Sequence, residues 1–319
     1  MCLLFLSLNF LSLKAFPQDG ARQLRWEAGF TLGPSFFLGD LGGNAGKGTR
    51  FIKDVNLELT KIVKGGFVSV YPNNWLGFRL AAQTGYLEGQ DDIINTNGIY
   101  ELFRKQRNLD FKSSLSEAYI VAEVFPLMFL NRNSEEYSGK LQPYVSFGFG
   151  MIHFNPQGSL TDANGNKSWY YLKPLNTEGQ GMAEYPNRKP YSLTQPVIPI
   201  GGGFKYFISE RVNISLEILT RKSFTDYIDD VSTSYINPEL FDKYLTPQNA
   251  AIARQIHDKT YGIVAPGLSR IAPGEQRGNP KQNDSFFSVL TKVGFRLGSI
   301  YENGFSKTER SKLRCPARF

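Results

Sequence analysis

Hydrophobic and polar residues alternate along one stretch of the chain almost without interruption. In residues 212–220 the apolar positions are Val212, Ile214, Leu216 and Ile218, and the polar positions between them are Asn213, Ser215 and Glu217. A period of two is typical of a β-strand whose two sides meet different surroundings. In a soluble barrel the apolar side points inward, whereas in a membrane barrel it points outward into lipid and polar groups fill the interior.

The same alternation recurs along the chain and predicts eight strands. They cover residues 26–38, part of 57–71, 75–88, 115–127, 141–151, 195–208, 212–221 and 285–297. The second strand is the least regular, and its Lys61 and the pair Gly65-Gly66 predict a β-bulge. An even number of strands suits a closed antiparallel barrel.

Isolated charges interrupt the polar faces of these strands. The predicted interior ions are Glu27, Arg79, Glu117, Glu123, Lys205, Glu217, Arg221, Lys292 and Arg296. These four acids and five bases nearly cancel, and buried charges must be paired because an isolated one is costly to desolvate. The pattern favours a barrel whose apolar side faces lipid. A soluble barrel with an ordinary mixed surface charge is the alternative.

The connections between the predicted strands alternate in length. Long segments lie at residues 40–56, 89–114, 155–194 and 222–284, and short ones lie at 72–74, 131–140 and 209–211. Long extracellular loops alternating with short periplasmic turns are the signature of bacterial outer-membrane barrels. The predicted fold is therefore all-β: an eight-stranded antiparallel transmembrane β-barrel in the outer membrane, with long extracellular loops, short periplasmic turns and both termini in the periplasm.

Two short helices are predicted in the longest loop. Asn237-Pro238 opens one that runs to Leu245, and Thr246-Pro247 opens another that runs to about His257. In each case a capping residue precedes a proline at the first helical position. We expect these helices to fold over the mouth of the barrel.

Composition and charge limit the classes of protein that fit the sequence. The 319 residues are 14% aromatic and include 31 glycines, which is typical of β-rich envelope proteins. No run of about 18 apolar residues follows the first dozen positions, so a helical membrane span is not predicted. The net charge of +7 comes from scattered Lys and Arg without a nucleic-acid motif, so no nucleic-acid partner is predicted.

The chain divides into three predicted parts. Residues 1–18 form a signal peptide with an apolar core, although Lys14 follows that core instead of preceding it, and a buried N-terminal strand or helix is the alternative. Residues 24–299 form the barrel, and residues 300–319 form a periplasmic C-terminal tail. Loss of the signal leaves Cys315 as the single cysteine, which is either free or joined to another chain by a disulfide.

Motifs for catalysis are lacking in the sequence. The two histidines, His153 and His257, have no nucleophile at a meaningful spacing, and neither GxSxG nor HExxH occurs. The sequence therefore predicts no enzyme and no cofactor, and an interior of eight strands is too narrow for a diffusion pore. The acids Asp226, Asp229 and Asp230 either cap turns and pair with Arg221 or Lys222, or bind a cation. Because they lack EF-hand spacing, no metal site is predicted.

Four segments resemble a known family. They are GDLGG at residues 39–43, NLELTK at 56–61, FTDYIDDVSTSY at 224–235 and CPARF at 315–319. They are similar to the PorG-type outer-membrane barrels of the type IX secretion system, and the third is the most specific. Its first eight residues are Phe224, Thr225, Asp226, Tyr227, Ile228, Asp229, Asp230 and Val231. The resemblance implies an eight-stranded barrel that joins the outer membrane to a periplasmic ring of the PorK-like lipoprotein and its PorN-like partner.

Two functional hypotheses follow from these observations. In the first, the protein is a secretion component that contacts outer-membrane lipids and anchors the periplasmic ring through its short turns and basic tail, with Cys315 as a candidate cross-link. In the second, it is a surface-exposed barrel whose long loops, above all residues 222–284, bind an extracellular ligand. The two hypotheses place the important residues on opposite sides of the membrane.

Overall fold

Eight long antiparallel strands close into a barrel in the computed structural model, which describes residues 24–41, 59–94, 99–130, 140–260 and 270–298. The strands are β1 (Arg25–Leu38), β2 (Lys61–Tyr71), β3 (Leu76–Gln90), β4 (Asp110–Val124), β5 (Leu141–Thr161), β6 (Lys167–Tyr171), β7 (Thr194–Phe207), β8 (Val212–Ser223) and β9 (Ser285–Leu297). All but the short β6 belong to the barrel. The pairing runs β4-β3-β2-β1-β9-β8-β7-β5, and an additional pairing of β4 with β5 closes the ring. The predicted fold class is confirmed.

The two ends of the barrel differ. One end, which we call the short-turn end, carries the tight connections β2–β3 and β7–β8, the β4–β5 connection, and the start of β1 and the end of β9. The other, the long-loop end, carries the β1–β2, β3–β4, β5–β7 and β8–β9 connections. None of the described helices has the length and apolarity needed to cross a bilayer.

Several predicted strand limits change. β2 pairs with β1 and β3 in unbroken register, with Gly65 opposite Thr31 and Gln83, so the predicted bulge is wrong. A Cβ on Gly65 would lie 2.1 Å from the carbonyl oxygen of Ala82, which explains the glycine as a close-approach position instead. β4 begins at Asp110, well inside the predicted long loop, and β5 continues from the predicted end to Thr161.

The long-loop end carries structure that the alternation did not predict. The outer part of β5 pairs with β6, which extends that hairpin beyond the barrel, because β7 leaves β5 after the pair His153 and Thr194. Helix α1 (Ile99–Arg107) precedes β4, and helix α2 (Pro126–Leu130) lies at the opposite, short-turn end. Neither helix was predicted.

The two predicted loop helices are present. Helix α4 (Pro247–His257) begins as expected, since Thr246 Oγ1 accepts a hydrogen bond from the Asn249 N–H and Pro247 occupies the first turn. Helix α3 (Leu240–Tyr244) is shorter than predicted. Asn237 Oδ1 accepts from the Glu239 N–H in a turn before the helix and does not cap it.

Apolar side chains cover the outside of the barrel. Phe30 is 70% exposed and Leu80 is 61% exposed, although both lie in the middle of regular strands. Similarly exposed outward residues are Leu32, Ile120, Val145, Phe147, Phe149, Ile200, Phe204, Leu216, Ile218 and Phe295. A soluble protein does not leave such a continuous apolar surface in water, whereas a membrane barrel turns it to the lipid tails. The barrel is therefore a transmembrane one.

The interior is filled in three layers. A small hydrophobic cluster of Tyr71, Phe125, Met128 and Tyr144 lies at the short-turn end. Charged and polar side chains occupy the middle of the barrel. At the long-loop end a large hydrophobic cluster joins the upper strands to the loops, and it includes Leu87, Phe111, Phe154, Ile228, Val231 and Phe241.

Candidate functional site

The middle layer of the barrel is a network of ion pairs. Arg79 is fully buried, its Nη2 donates to Glu217 Oε1 at 2.8 Å, and its Nη1 lies 2.9 Å from Glu123 Oε1. Lys292 Nζ lies 3.1 Å from Glu217 Oε2 and 3.4 Å from Glu123 Oε1. Glu217 thus meets two cations, and Glu123 meets three because Lys205 Nζ lies 4.0 Å from its Oε2. These contacts compensate the cost of removing the charges from water.

A second group of ions lies toward the short-turn end. Lys205 Nζ lies 3.1 Å from Glu27 Oε1, and Asn213 Nδ2 donates to Glu27 Oε2 at 2.8 Å. A Cβ on Gly294 would lie 2.5 Å from Glu27 Oε1, so a side chain at this position would displace the carboxylate from its present place. Tyr71 Oη donates to Glu123 Oε2 at 2.9 Å and connects this group to the first.

A third pair lies toward the long-loop end. Arg221 Nε donates to Glu117 Oε2 at 3.1 Å, and Arg221 Nη2 contacts the other carboxylate oxygen. Arg221 Nη1 donates to the Leu219 carbonyl oxygen and to Ser288 Oγ. The guanidinium of Arg221 therefore has partners on β4, β8 and β9.

The nine charges singled out in the sequence separate into two sets. Eight are buried inside the barrel in four acids and four bases: Glu27, Arg79, Glu117, Glu123, Lys205, Glu217, Arg221 and Lys292. Arg296 instead lies half-buried at the short-turn mouth, above the ring of Phe207. These eight side chains fill the middle of the barrel with equal numbers of acids and bases.

The long-loop end is covered by a compact structure, which we call the cap: residues 39–41, 91–94, 99–109, 162–193, 224–260 and 270–284. The segment FTDYIDDVSTSY lies at its centre, and eight of its twelve residues are buried: Thr225, Asp226, Ile228, Asp229, Asp230, Val231, Ser232 and Tyr235. Asp229 accepts hydrogen bonds from the N–H groups of Val231 and Leu41. The motif thus holds the start of the first long loop against the last one.

Asp230 is held by a different set of neighbours. Its backbone adopts a left-handed conformation with φ of 63°, and its carboxylate accepts from Tyr191 Oη at 2.8 Å and from Thr177 Oγ1. Asp229 caps a turn, as predicted for the acids of this motif. The predicted pairing with Arg221 is wrong, because that guanidinium points into the barrel and binds Glu117.

Two buried arginines, which sequence reasoning did not select, bind the loops together. Arg277 Nη1 lies 2.8 Å from Glu178 Oε1 and donates to the Asp230 carbonyl oxygen at 2.7 Å, while Glu178 accepts from the N–H groups of Ser232 and Thr233. No periodic pattern marks these loop residues, so only their charge was visible in the sequence.

Arg107 is the second buried arginine that joins separate loops of the cap. Its Nε donates to Asp91 Oδ2 at 2.7 Å and its Nη2 donates to the Asp40 carbonyl oxygen at 2.6 Å. Arg107 also contacts the carbonyl oxygen of Arg277, so its guanidinium links α1 to two other loops. Burial opposes the charge of Arg107, but its pKa rises because the carboxylate of Asp91 stabilises that charge more.

Burial raises the pKa values of four acids in and beside the motif segment, namely Asp226, Asp229, Asp230 and Asp284. Burial raises the pKa of Asp226 to about 9, and the nearby Ser232 partly offsets this rise. Burial raises the pKa of Asp230 to about 6 although Arg277 opposes it. The pKa values of Asp229 and Asp284 are well above the usual range because of burial, and repulsion from neighbouring acids adds to it.

The two histidines lie in different surroundings. His153 is exposed and its Nδ1 lies 3.0 Å from Thr194 Oγ1. His257 is buried between the rings of Tyr235 and Phe241, and its Nε2 accepts from the Ile236 N–H at 3.2 Å. Burial, helped by the charge of Arg277, lowers the pKa of His257 to about 3.

Three predicted features lie outside the described residues. They are the signal peptide at residues 1–18, the tail at 300–319 with Cys315, and most of the first long loop, including the end of GDLGG and the start of NLELTK.

Comparison with solved structures returns membrane barrels. The chain is similar to a major outer membrane protein from Thermus thermophilus (TM-score 0.35, 11% identity, 86% of this chain and 100% of that one). It is also similar to Ail, the attachment invasion locus protein of Yersinia pestis (0.33, 6%, 85% and 99%), and to OprG from Pseudomonas aeruginosa (0.30, 10%, 86% and 96%). No family model and no curated protein matches the sequence. Because these TM-scores are below 0.5, the fold assignment rests on the strand pairing of this chain.

Proposed function

We propose that this chain is an integral outer-membrane barrel that acts, without catalysis, as an anchoring component of the type IX secretion system. One observation carries the proposal. The segment most similar to the PorG-type barrels, FTDYIDDVSTSY, is the buried centre of the cap, where Asp229, Asp230 and their neighbours fix the loops. Substitutions within this segment would therefore destabilise the packing of the loops. The residues that resemble the family are ones that hold the cap together.

The filled interior supports an anchoring role over a transport role. Arg79, Glu217 and their partners occupy the middle of the barrel, and aromatic residues occupy its short-turn end. A secreted protein is far too large for such an interior. The barrel therefore acts through its two ends and through the lipids that surround its apolar outer face.

The short-turn end is proposed to face the periplasm and to bind the PorK-like lipoprotein and its PorN-like partner. A pocket at this end is lined by Arg25 and Arg296 beside Tyr71 and Phe125, with Lys205 and Glu27 among its other walls. Cationic and aromatic side chains together suit an acidic segment of a partner. The basic tail at residues 300–319, with Cys315, extends from the same end in this proposal.

Site-specific photo-cross-linking in cells tests the proposal. A photoreactive amino acid is placed at Asn74 or Ser209, which are exposed in the short turns, or at Asn164, which is exposed in the turn between β5 and β6. We expect Asn74 and Ser209 to cross-link to a periplasmic lipoprotein and Asn164 to give no such product. Asn164 serves as the matched control because it is also exposed but lies at the opposite end.

The outcomes separate the two hypotheses. Cross-links to a periplasmic ring protein from the short turns, together with loss of secretion on substitution of Arg25 and Arg296, support anchoring. Cross-links only from Asn164, with secretion unchanged, contradict it and favour an extracellular ligand bound by the cap.

A further inference from the structure

The pocket at the short-turn end is lined by two arginines from neighbouring strands. Arg25 begins β1 and Arg296 lies next to the last residue of β9, and these two strands pair with each other. Electrostatic repulsion by Arg296 acts on Arg25 more strongly than attraction by Glu27 does. Two like charges that face one pocket are stabilised when an anion lies between them.

Aromatic and backbone contacts hold both guanidinium groups in place. Arg25 Nη2 donates to the Asn73 carbonyl oxygen at 2.9 Å, and its Cζ lies 5.8 Å from the ring centroid of Tyr71. Arg296 Cζ lies 5.7 Å from the ring centroid of Phe207. Contacts with a ring face orient a guanidinium but supply no negative charge of their own. Both arginines are therefore positioned at the pocket and keep their charge.

The one acid that lines the pocket is already bound by other groups. Lys205 Nζ lies 3.1 Å from Glu27 Oε1, and Asn213 Nδ2 donates to Glu27 Oε2 at 2.8 Å. Arg25 forms no salt bridge with any residue in the described part of the chain. The lining residues thus include three cations and one acid, which leaves an excess of positive charge at the pocket.

Gln142 gives an independent sign that an acceptor is missing. This side chain lines the pocket and is only 5% exposed. Its Nε2 donates to Met128 Sδ at 3.8 Å, and the structure gives it no other acceptor among the described residues. A thioether sulfur is a weak acceptor, whereas buried amide groups normally have good hydrogen-bond partners. An amide N–H in the pocket wall is therefore available to a stronger acceptor.

The size and the walls of the pocket select the kind of ligand. Its volume is about 20 Å³, and a single water needs about 10–15 Å³, so the end of one side chain fits but a phosphate headgroup does not. A carboxylate carries only acceptor oxygens and binds a guanidinium through two parallel hydrogen bonds. The apolar walls, which suit the CH₂ groups behind a carboxylate, are Trp26, Phe125, Met128 and Phe207.

We propose that this pocket binds the side-chain carboxylate of a glutamate or aspartate on a periplasmic partner protein. Arg25 and Arg296 bind the carboxylate as charged donors, and Gln142 adds a neutral one. The inference rests on the proposed function in taking the partner to be periplasmic. It goes beyond that function in naming the chemical group that the barrel recognises and the three side chains that recognise it.

Tryptophan fluorescence tests the site on the full-length protein in an uncharged detergent. Trp26 lines the pocket, and the background Trp75→Phe with Trp169→Phe leaves it as the single tryptophan. The probe is the peptide GLELG, acetylated and amidated at its ends so that its glutamate carries the only charge. We expect a saturable change of the Trp26 emission and binding at least about tenfold weaker for GLQLG, which lacks the carboxylate. Equal binding of both peptides, or no saturable change, overturns the proposal.

Three variants separate the pocket from the general charge of the short-turn end. Arg25→Gln and Gln142→Met should each weaken the binding of GLELG, because each removes a donor from the pocket. Arg211→Gln is the matched control, since this arginine is exposed in the β7–β8 turn at the same end and does not line the pocket. It should bind like wild type. Unchanged binding by Arg25→Gln, or an equal loss in Arg211→Gln, overturns the proposal, and heat-dependent gel migration verifies that each variant is folded.

Competition distinguishes a protein carboxylate from a lipid headgroup. Excess acetate should displace GLELG, and glycerol phosphate at the same ionic strength should displace it less. Stronger displacement by glycerol phosphate overturns the proposal and favours a phospholipid as the occupant.

Photo-cross-linking in cells separates this proposal from the anchoring role. Asn74 also lines the pocket, and we expect Arg25→Gln to reduce the cross-link from Asn74 to a periplasmic lipoprotein. An undiminished cross-link leaves the anchoring role intact and overturns the pocket proposal. Binding of GLELG without any cross-link to a periplasmic ring protein supports the pocket and contradicts the anchoring role.

Discussion

Arg221 and Glu117 meet inside the barrel although 104 positions separate them in the chain, and Arg221 Nε donates to Glu117 Oε2 at 3.1 Å. Both side chains are almost fully buried, and Glu117 forms no second salt bridge among the described residues. Their association ties β4 to β8 across the interior. It is therefore the simplest place to measure what the internal charges contribute.

Glu117→Gln should destabilise the barrel by about 3 to 5 kcal/mol, because it leaves Arg221 charged and buried without its carboxylate. The double variant Glu117→Leu with Arg221→Met should recover most of that loss, since neither charge remains. Urea unfolding in lipid vesicles measures both free energies of unfolding.

Glu184→Gln is the control for that experiment. Glu184 pairs with Lys243 at the exposed surface of the cap, where water screens the interaction, so the variant should unfold like wild type. If Glu117→Gln also unfolds like wild type, the buried pair does not support the barrel.

Leu216→Arg should cost about 2 to 4 kcal/mol of barrel stability, because Leu216 lies in the middle of β8, is 53% exposed and faces lipid. Leu216→Ala should cost less, since it shortens the side chain without placing a charge in the apolar layer. The comparison uses the same vesicle unfolding assay. Equal effects of Arg and Ala would show that this face is not in contact with lipid.

Glu178→Gln should loosen the cap and leave the barrel closed. Glu178 accepts hydrogen bonds from the Ser232 and Thr233 N–H groups and pairs with Arg277, so the change weakens the main contact between two long loops. Limited proteolysis should cleave the variant within residues 162–193 or 224–284 at protease concentrations that wild type resists. Heat-dependent gel migration should be unchanged. Loss of that migration would show that the cap and barrel fold as one unit.

Acid should weaken the cap through His257. Its folded pKa of about 3 lies below the usual value, so the unfolded state binds the proton more readily. The stabilising contribution is complete above a pH of about 6.5, is lost as pH falls toward about 3, and amounts to on the order of 5 kcal/mol. His257→Gln should remove this dependence.

The pH experiment compares cap proteolysis of wild type and His257→Gln between about pH 7 and about pH 3. The raised pKa of Asp226 acts in the opposite direction, since its contribution to stability falls as pH rises from about 4 to about 9. Because Asp226 is present in both proteins, the difference between the two curves isolates His257. Parallel curves would show that His257 titrates normally.

Alternation was sufficient to predict the barrel. β9 has the predicted limits, and β8 ends at Ser223, two residues beyond its predicted end at residue 221. The limits agree because each strand has a continuous two-faced pattern. The pattern also indicates which charges point inward, but a period of two gives the side of a strand and not its partner, so the pairing of Arg79 with Glu217 was not predictable.

The cap was less accessible to prediction. β6 has the sequence KSWYY, which does not alternate, and its pairing with β5 depends on where β7 diverges. Thr246-Pro247 predicted α4 because capping is local, whereas Glu178 and Arg277 meet only through tertiary packing. The clustering of Asp226, Asp229 and Asp230 is visible in the sequence. Their burial could not be predicted, because it depends on loops that are distant in sequence.

Cysteine accessibility in intact cells tests most directly the claim that this is a transmembrane barrel with its cap outside. The background lacks Cys2 and Cys315, and a membrane-impermeant maleimide is applied to Asn164→Cys, Asn74→Cys and Phe30→Cys. We predict that Asn164→Cys reacts in intact cells and Asn74→Cys reacts only after lysis. Phe30→Cys, although 70% exposed on the barrel wall, should react only after denaturation because lipid covers it. Rapid reaction of Phe30→Cys in the native protein would contradict the account.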